Sequence, residues 1–376
     1  MKRWSMIYTR MGVPMPRQRL ILHTEASLGL GGQEIRILTE VRWLLDHGWG
    51  AVIACQPESR LLSEARAAAL PAVAVPMRGA LDLPALLALR RLMRARGVTL
   101  VHTHSSVDSW LGTLAAKSLR LPVVRGRHVT IPIIKRRALT YRLADRVITS
   151  GEAVRALVER AGVPAERIVA VPAGVDTTRF HPGVSGKTVR DELGLTGPVV
   201  GLVANVRGSK GHRYFLEAAQ PVLRAVPGTR FLIVGDGVGF EDVRLRVREM
   251  GLEPHVIMTG FRRDIPEVMA ALDILVLPSI KSEAISQVIP QALAVGTPVV
   301  GTTVGGTPEI IRDGENGRLV PPADAAALAG AIVALLRDPV RAREMARAGQ
   351  ALVRARYTMG ATMAQTTAVY AELLGG

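Results

Sequence analysis

Short apolar runs alternate with amphipathic stretches along almost the whole chain. Apolar runs bounded by Gly and Pro predict buried β-strands, and apolar residues three or four positions apart predict helices. The strands form two series. The first comprises 19–26, 50–55, 72–76, 99–104, 122–128, 145–150 and 168–174. The second comprises 198–205, 230–237, 255–260, 273–279, 298–306 and 317–322.

Helical patterns separate these strands, for example at 33–47, 83–96, 214–226 and 240–250. Regular alternation of strands and helices predicts parallel sheets of the doubly wound type. We therefore predict an α/β protein with two Rossmann-like, doubly wound domains that face each other across a cleft. The length of 376 residues also favours two domains.

Three features set the predicted domain boundaries. A segment rich in Pro and Gly, 171–188, indicates a linker, so the N-terminal domain is predicted at 1–180 and the C-terminal domain at 181–355. Residues 356–376 predict a final helix that packs back on the N-terminal domain through an apolar face of Met359, Met363, Tyr370 and Leu373. We also expect disorder in residues 1–18.

Cysteine content and hydropathy indicate the compartment. Cys55 is the single cysteine, which excludes an internal disulfide framework and suits a reducing cytoplasm. No run of 18 apolar residues indicates a transmembrane helix, and the basic N-terminus lacks the apolar core of a secretory signal. We expect a cytoplasmic protein, with peripheral binding at the inner face of the membrane as an extension of that expectation.

The positive charge is concentrated in the first half of the chain. The net charge is +16, and residues 1–180 hold 27 Lys and Arg against 13 Asp and Glu. This distribution favours an anionic partner for the first half: nucleic acid, a phosphorylated glycan or a membrane surface. The alternative is a bias towards arginine, with charges that serve only solvation.

Polar residues follow several predicted strands of the first half, where a doubly wound sheet binds its ligands. Gly31 and Gly32 lie in a glycine-rich turn that opens a helix, a setting that offers free amides to an anion. His104 ends the strand 99–104 beside Ser105, Ser106 and Asp108. For both places the alternative is a structural one: a tight turn without a ligand, or a histidine held by internal hydrogen bonds.

A basic cluster follows another strand of the first half. Arg125, Arg127 and His128 combine guanidinium forks with an imidazole, a set that suits phosphate. The sequence therefore predicts a phosphate site at this strand end. A basic surface loop without a ligand is the alternative.

The second half repeats the pattern. Arg207 and Lys210 lie in a glycine-containing turn after the strand 198–205, where two cations and free amides suit an anion. Gly235 and Gly237 form a tight turn after the next strand. The chain has no zinc-protease motif, no paired cysteine motif, no ATP-binding P-loop and no serine nucleophile elbow.

Taken together and in order, these segments resemble the retaining glycosyltransferases of family 4, which have the GT-B fold. The segments are GLGGQE, VHTHS, VPAGVDTTRFHP, VRGSKG, LIVGDG, TGFRRDIPEVMAALDILVLPS, SEAISQVIPQALAVGTPVV and VGGTPEIIRDGENGRLVPP. The resemblance spans nearly the whole chain. Within the family, RGRHVTIP is most similar to bacterial enzymes of lipopolysaccharide and surface-glycan assembly.

The resemblance implies a nucleotide-sugar donor held mainly by the C-terminal domain, an acceptor held mainly by the N-terminal domain, and no cofactor or metal ion. Arg125, Arg127 and His128 would then lie on the acceptor side of the site. Arg207 and Lys210 would neutralise the donor diphosphate, which stabilises charge that develops in the transition state. His104 matches the family histidine near the transferred sugar, and Glu283 matches the first acid of the E-x7-E pattern. By the same resemblance, donor contacts would also come from Gly31, Gly32, Gly235, Gly237, Ser286, Gln287 and Gln291.

The chain departs from the family pattern at three positions. Asn205 replaces the usual arginine, Ala173 precedes Gly174 in the linker, and Gln291 replaces the second acid, which contacts ribose in the family. An amide can still exchange hydrogen bonds with ribose hydroxyls, although without charge. Because Pro290 lacks an N–H, we expect a helix that begins near Ser286 and leaves Glu283 in the preceding loop.

Other functions stay open at this point. One is a different GT-B activity, such as a nucleotide-sugar 2-epimerase or a phosphorylase. Another is a catalytically silent module that binds glycans or nucleic acid through its basic face, although we expect no nucleic-acid partner. The residues do not select a donor base, a sugar or an acceptor.

Overall fold

The computed structural model describes residues 19–375, with the side chains of 135–137 outside the description. The disorder expected for residues 1–18 concerns a segment outside that range. Contacts divide the chain into two compact units. One unit extends to Gly126 and takes in Arg136–Val147 and the chain from Ala368 onward, and the other comprises Arg127–Lys135 and Ile148–Thr367. The domain boundaries predicted at 180 and 355 stay a prediction.

All thirteen predicted strands are confirmed, and most are shorter than the apolar runs that predicted them. The first seven are β1 Leu20–Glu25, β2 Gly50–Cys55, β3 Ala72–Ala74, β4 Leu100–Thr103, β5 Val123–Arg127, β6 Arg146–Thr149 and β7 Ile168–Ala170. The others are β8 Val199–Val203, β9 Arg230–Val234, β10 Val256–Gly260, β11 Ile274–Leu277, β12 Val299–Thr302 and β13 Arg318–Val320.

Helices follow nearly every strand. In the first half they are α1 Gly32–Asp46, α2 Arg60–Ala67, α3 Leu83–Arg96, α4 Ser106–Lys117, α5 Lys135–Leu143 and α6 Glu152–Arg160. In the second half they are α7 Lys187–Glu192, α8 His212–Ala225, α9 Phe240–Glu249, α10 Ile265–Ala271, α11 Val288–Val295, α12 Thr307–Ile310, α13 Ala325–Arg337, α14 Pro339–Leu352 and α15 Met359–Leu374. The four helices predicted with ranges agree with α1, α3, α8 and α9 to within two residues at each end.

The strands form two sheets with doubly wound order. One sheet has the order β3-β2-β1-β4-β5-β6-β7 and the other β10-β9-β8-β11-β12-β13. The chain therefore changes winding direction between β1 and β4 in the first sheet, and between β8 and β11 in the second. Ligands of doubly wound sheets bind outside the carboxyl ends of the strands at such a switch point. The fold thus directs attention to the loops that follow these four strands.

The core of the second sheet lies on both of its faces. Successive residues of a strand point to opposite faces, so a strand covered on both sides is apolar throughout. Val199 belongs to one buried cluster, with Leu275 and Val299. Its neighbour Val200 belongs to the other, with Phe215 and Ile233. Burial of such a side chain contributes about 1.5–3 kcal/mol to stability. This packed core fixes the positions of the strands whose carboxyl ends carry the site.

The final helix α15 contributes to the first unit through its last turns. The Tyr370 hydroxyl lies 2.6 Å from Nδ1 of His102 on β4, and Arg146 and Glu372 form an ion pair. Tyr370 and Met363, two members of the predicted apolar face, are buried. Among the described residues, no helix combines the length and the apolar character that crossing a membrane requires.

Candidate active site

A buried ion pair lies at the switch point of the second sheet. Lys210 Nζ is 2.6 Å from Glu283 Oε2, and the two side chains are 11% and 7% exposed. Lys210 ends a single 3-10 turn, Gly208–Lys210, that follows β8, whereas Glu283 lies in the loop after β11. Since β8 and β11 are neighbours in the sheet, residues 73 positions apart meet at one edge.

The loop after β11 fixes the Glu283 carboxylate. The Ser279 hydroxyl donates to Glu283 Oε2 at 2.5 Å, and the Thr302 hydroxyl donates to the Ser279 carbonyl oxygen at 2.5 Å. Ser279 and Thr302 are themselves buried. Burying an unpaired charge costs several kcal/mol, and here a cation and a hydroxyl both meet one carboxylate oxygen. The carboxylate is therefore held by Lys210, which follows β8, and by Ser279, which is itself bonded to Thr302 on β12.

Two glycines let the backbone of neighbouring loops approach closely at this site. A Cβ atom on Gly305 would lie 1.6 Å from the Glu283 carbonyl oxygen, and φ at Gly305 is +56°. A Cβ atom on Gly211 would lie 1.8 Å from the Pro278 carbonyl oxygen, at φ +72°. Any side chain at either position would displace the loop after β11. The position of Glu283 thus depends on glycine in two neighbouring loops.

The other predicted donor residues of the second half flank this pair. Arg207 is exposed and precedes the 3-10 turn that carries Lys210. Gly235 and Gly237 form the turn after β9, and the Val206 amide donates to the Asp236 carbonyl oxygen at 2.9 Å. The loops after β8 and β9 are therefore bonded to each other. Asn205, at the position of the usual family arginine, is exposed.

Helix α11 begins at Val288, two residues after the start predicted near Ser286. It starts at Val288, with Gln287 as N-cap and Pro290 in its first turn, where a missing N–H leaves no helical bond unmade. Glu283 lies in the preceding loop, as predicted. Ser286, Gln287 and Gln291 are all half-buried at this end of the helix.

In the first sheet, the carboxyl groups of Glu25 and Glu34 accept hydrogen bonds from the glycine-rich turn. The Gly31 amide donates to Glu34 Oε2 at 2.7 Å, and the Ser27 amide donates to Glu25 Oε1 at 2.8 Å. The Gln33 side chain donates to the other oxygen of Glu25. The turn predicted to meet a diphosphate through Gly31 thus has its own carboxylate on that amide. A diphosphate at Gly31 would have to take the place of Glu34.

Three acidic side chains near this turn, Glu25, Glu34 and Asp108, are buried. Burial raises the pKa of the Glu25 carboxyl to about 8, and the carboxylates of Asp108 and Glu34 add to that rise. Burial also raises the pKa of Asp108. Asp108 accepts from the amides of His104 and Ser105 at 2.9 and 2.8 Å, so it holds the start of α4 against β4. Glu25 therefore carries a proton near neutral pH.

Three histidines meet at the switch point of the first sheet. His23 on β1 is opposite His102 on β4, and His104 follows β4. His23 Nδ1 lies 3.0 Å from His104 Nε2, and all three rings are buried. Burial, aided by the charge of Arg36, lowers the pKa of His23 to about 3, so this ring is neutral. Within residues 19–375, this is the group whose possible metal-binding atoms lie within 4.8 Å of one another.

The predicted acceptor-side cluster divides between the interior and the surface. Arg125 is buried on β5, where its guanidinium donates to the Thr103 carbonyl oxygen at 3.3 Å and to the Tyr141 hydroxyl at 3.4 Å. Arg127 is half-buried and donates to the Ile131 carbonyl oxygen, and His128 is half-buried. Arg125 thus supports the first sheet from within, whereas Arg127 and His128 lie nearer to solvent.

Sequence reasoning missed His23, Glu25 and Ser279. Two of them had a signal, because the buried strand LILHTE carries a His and a Glu among residues that a central parallel strand normally keeps apolar. A polar side chain in such a strand must have a partner inside the protein. Ser279 had no comparable signal, since a serine after a strand is common in any loop.

Two family models match the chain. Residues 30–179 match the model described as Glycosyltransferase Family 4, and residues 197–338 match the model described as Glycosyl transferases group 1. The D-inositol 3-phosphate glycosyltransferase of Segniliparus rotundus is 31% identical over 304 residues, which cover 74% of this chain and 67% of the relative. The chain belongs to glycosyltransferase family 4.

Other curated proteins are also similar to this chain in sequence. The D-inositol 3-phosphate glycosyltransferase of Nocardia farcinica is 34% identical over 275 residues, 65% of this chain, and the chain covers only 60% of that relative's length. An Escherichia coli protein, UDP-Gal:alpha-D-GlcNAc-diphosphoundecaprenol alpha-1,3-galactosyltransferase, is 27% identical over 278 residues, 69% of this chain and 72% of the relative.

Solved structures share the fold over most of the chain. A glycosyltransferase from Rickettsia africae has a TM-score of 0.87 at 21% identity and covers 96% of this chain and 100% of its own. Anabaena HepE in complex with UDP-glucose has a TM-score of 0.84 at 23% identity, with 94% and 99% covered. The predicted GT-B fold, two doubly wound α/β sheets, is thereby confirmed.

Proposed function

We propose that this chain is a retaining glycosyltransferase that moves a sugar from a nucleotide-sugar to a glycan or lipid-linked acceptor in lipopolysaccharide or surface-polysaccharide synthesis. The observation that carries the proposal is the buried Lys210–Glu283 pair at the switch point of the second sheet. Family membership supports the reaction class and the retention of configuration. The UDP-glucose bound in the HepE structure and the UDP-Gal in the name of the E. coli relative support a nucleoside diphosphate-sugar donor.

Lys210 would hold the donor diphosphate together with Arg207. An ammonium has three N–H donors, so Lys210 can keep Glu283 and still meet phosphate oxygens. As the bond between sugar and diphosphate breaks, negative charge grows on the leaving phosphate. A cation already fixed in a buried position stabilises that charge without rearrangement. Arg207, exposed beside it, would add a second cation from the same loop.

Glu283 would bind the transferred sugar. Its Oε2 atom accepts hydrogen bonds from Lys210 and Ser279. Its Oε1 atom would accept a hydrogen bond from a sugar hydroxyl. Gln291 would accept and donate hydrogen bonds at the ribose, with Ser286, Gln287 and the turn of Gly235 and Gly237 as further donor contacts. His104 would bind the sugar from the first sheet, and Gly31 and Gly32 would add amides for the diphosphate. We propose no protein nucleophile.

The acceptor is proposed to be anionic or to lie at an anionic surface. The charge excess of residues 1–180 supports this, and Arg127 and His128 are the nearest candidates to solvent. The acceptor in the name of the E. coli relative, a diphosphoundecaprenol-linked sugar, carries an anionic diphosphate and a long apolar chain. A diphosphate-linked lipid would thus meet the basic half of the chain.

Peripheral membrane binding is the second part of the proposal. Ile131 and Ile134 are 53% and 58% exposed in the segment that leads into the basic start of α5. Exposed isoleucines next to basic residues suit the interface of an anionic bilayer. Flotation with vesicles of phosphatidylglycerol and phosphatidylcholine tests this part. Salt-sensitive flotation that the double change Ile131→Ser and Ile134→Ser abolishes would support it, and no flotation at low salt would refute it.

A donor screen followed by turnover tests the main proposal. Purified protein is incubated with UDP-, GDP-, ADP- and CMP-sugars, and thermal shift and release of nucleotide are measured with and without glycan acceptors. We expect one nucleotide to stabilise the protein and its sugar to be transferred or slowly hydrolysed. Glu283→Gln should abolish turnover, whereas Glu253→Gln, an exposed glutamate of the same unit, should not. Epimerisation of the donor in the absence of an acceptor would overturn the proposal. So would a protein that binds glycan but none of the four nucleotide-sugars.

A further inference from the structure

The residue before Glu283 has a strained backbone conformation. Ser282 has a φ of +58°, which lies in the left-handed region. There the Cβ atom of an L-residue crowds the following carbonyl oxygen, so the region is used mainly by Gly and less often by Asn and Asp. A conformation of this kind persists where the surrounding structure imposes it, and such residues cluster at functional sites. The cause of the conformation therefore lies in the contacts of the neighbouring residues.

The chain is anchored on both sides of Ser282. The Ile280 amide donates to the Ser209 carbonyl oxygen at 2.9 Å, and the Glu283 carbonyl oxygen accepts from the Gly306 amide at 3.2 Å. Two exposed residues separate these anchors, whereas the Glu283 side chain that follows them is buried. The chain therefore has two residues in which to turn from the surface towards the interior, and a left-handed residue makes such a tight turn.

The side chain of Glu283 closes the same short loop. Its Oε2 atom accepts from the Ser279 hydroxyl at 2.5 Å and lies 2.6 Å from Lys210 Nζ. Ser209, which anchors the start of the loop, is the neighbour of Lys210 in the chain. A change of Ser282 to a right-handed helical conformation would alter its φ by about 120°. Such a rotation would turn the Glu283 side chain away from both of its partners.

We propose that Ser282 is a positioning residue whose left-handed backbone holds the Glu283 carboxylate against Lys210 and towards the transferred sugar. This inference rests on the proposed function, in which Glu283 contacts that sugar. Ser282 acts through Glu283, and the conformation of its backbone, rather than its hydroxyl group, performs this role. All the contacts that carry the inference lie within the second unit.

Two substitutions at Ser282 separate the backbone conformation from the hydroxyl group. Ser282→Gly removes the hydroxyl and favours the left-handed region, whereas Ser282→Thr keeps the hydroxyl and adds a β-branch that disfavours this region. Because Ser282 is exposed, the core does not have to accommodate either change.

The two substitutions should affect turnover in opposite ways. A misplacement of about 1 Å can cost about 10²-fold in rate. We expect Ser282→Thr to lower kcat for donor turnover about 10–100-fold, with little change in donor KM because the nucleotide contacts remain. Ser282→Gly and Ser282→Asn, which both tolerate the left-handed region, should keep kcat within about twofold of the wild-type value.

Ala323 provides the matched control. It is exposed, belongs to the same unit and has a φ of +60°. Ala323→Thr therefore imposes a comparable backbone strain at a place that no proposed donor contact uses. We expect it to lower the midpoint of thermal unfolding about as much as Ser282→Thr does, and to leave kcat unchanged. Unchanged kcat in Ser282→Thr, an equal loss in Ser282→Gly, or an equal loss in Ala323→Thr would each overturn the inference.

Denaturant unfolding tests the same inference without activity. Glu283→Gln should destabilise the wild-type protein and Ser282→Gly by similar amounts, because the ion pair is intact in both. In Ser282→Thr the pair is already disturbed, so the further change Glu283→Gln should destabilise this variant less. An equal effect of Glu283→Gln in all three backgrounds would show that Ser282 does not set the pair, and would overturn the inference.

The two measurements distinguish this inference from the proposed function. If Glu283→Gln leaves sugar transfer unchanged, the role assigned to Glu283 is wrong, and unfolding still decides whether Ser282 sets the ion pair. If Glu283→Gln abolishes transfer and Ser282→Thr keeps the wild-type kcat, the proposed function stands and the positioning role fails.

Discussion

Lys210 Nζ and Glu283 Oε2 lie 2.6 Å apart, both buried, at the carboxyl edge of the second sheet. Removing one member of a buried ion pair leaves an uncompensated charge and typically costs about 3–5 kcal/mol, whereas removing both costs much less. We expect Lys210→Met and Glu283→Gln each to lower the free energy of unfolding, and the double variant to regain part of the loss. Denaturant unfolding of all four proteins measures this, with Lys187→Met as the exposed control.

Activity should follow a different pattern in the same four proteins. Because each residue is proposed to meet the donor, the double variant should be no more active than the singles, and Lys210→Met should lower kcat about 10²–10³-fold. Activity that recovers together with stability in the double variant would mean that the pair only supports the fold.

The backbone contact between Gly305 and Glu283 predicts a sharp effect of a single methyl group. An alanine at 305 would place Cβ 1.6 Å from the Glu283 carbonyl oxygen, so the loop must move. Gly314 also has a positive φ, +75°, but nothing lies within 4 Å of its Cβ position. Gly314→Ala should therefore cost only the backbone strain, about 1–2 kcal/mol. Gly305→Ala should cost clearly more in thermal unfolding and should lower turnover; equal effects of the two changes would refute the proposed loop contact.

Gln291 predicts a change in binding rather than in chemistry. A hydrogen bond to ribose contributes about 0.5–1.5 kcal/mol, so Gln291→Ala should raise donor KM up to about tenfold. The ribose is remote from the reacting bond, and a contact that is equally strong in the ground state and the transition state affects KM alone, so kcat should stay within about twofold. Steady-state kinetics with the donor identified by the screen checks this, with Gln220→Ala on α8 as control. A lower kcat at unchanged KM would contradict it.

Glu25 predicts a pH dependence of stability. Its folded pKa is raised to about 8 from an ordinary 4.5, so the folded state holds a proton that the unfolded state has released between these values. Stability is then full below about pH 4.5 and falls as the pH rises through 8. Glu25→Gln removes this contribution, so thermal unfolding of the variant should decline less than that of the wild-type protein between about pH 5 and 9. Parallel curves for the two proteins would show that Glu25 is already ionised.

The fold was predictable because parallel strands that are covered on both faces consist of consecutive apolar residues, and such runs can be seen in the sequence. GAVIAC is β2 residue for residue, and LPALLALRRLMRAR is α3, which begins after the capping Asp82 and ends at Gly97 in the left-handed conformation. Some predicted strands extended into the loops; the range predicted for β9, 230–237, included the Gly-Asp-Gly turn after the apolar run, and the strand ends at Val234. The glycine-rich turns at the strand ends were also predictable, because each directly follows an apolar run in the sequence.

The partners within the site were not predictable in this way. Glu309 lies in the first turn of α12, where an acid often compensates the helix dipole. Its carboxylate instead accepts from the amides of Glu152 and Ala153, both at 2.7 Å, at the start of α6. The amides lie more than 150 residues away in sequence. Local propensity carries no information on such a contact, whereas the bond from the Gly31 amide to Glu34 spans three residues and is a local capping interaction.

Turnover of a nucleotide-sugar tests the central claim most directly. Release of nucleoside diphosphate is followed for the wild-type protein, Glu283→Gln and Glu253→Gln, with the donor that gives the largest thermal shift and with product configuration read by NMR. We predict release and a product of retained configuration for the wild-type protein and Glu253→Gln, and neither for a folded Glu283→Gln. Equal release by Glu283→Gln, or no binding of any nucleotide-sugar by the folded wild-type protein, would contradict the account.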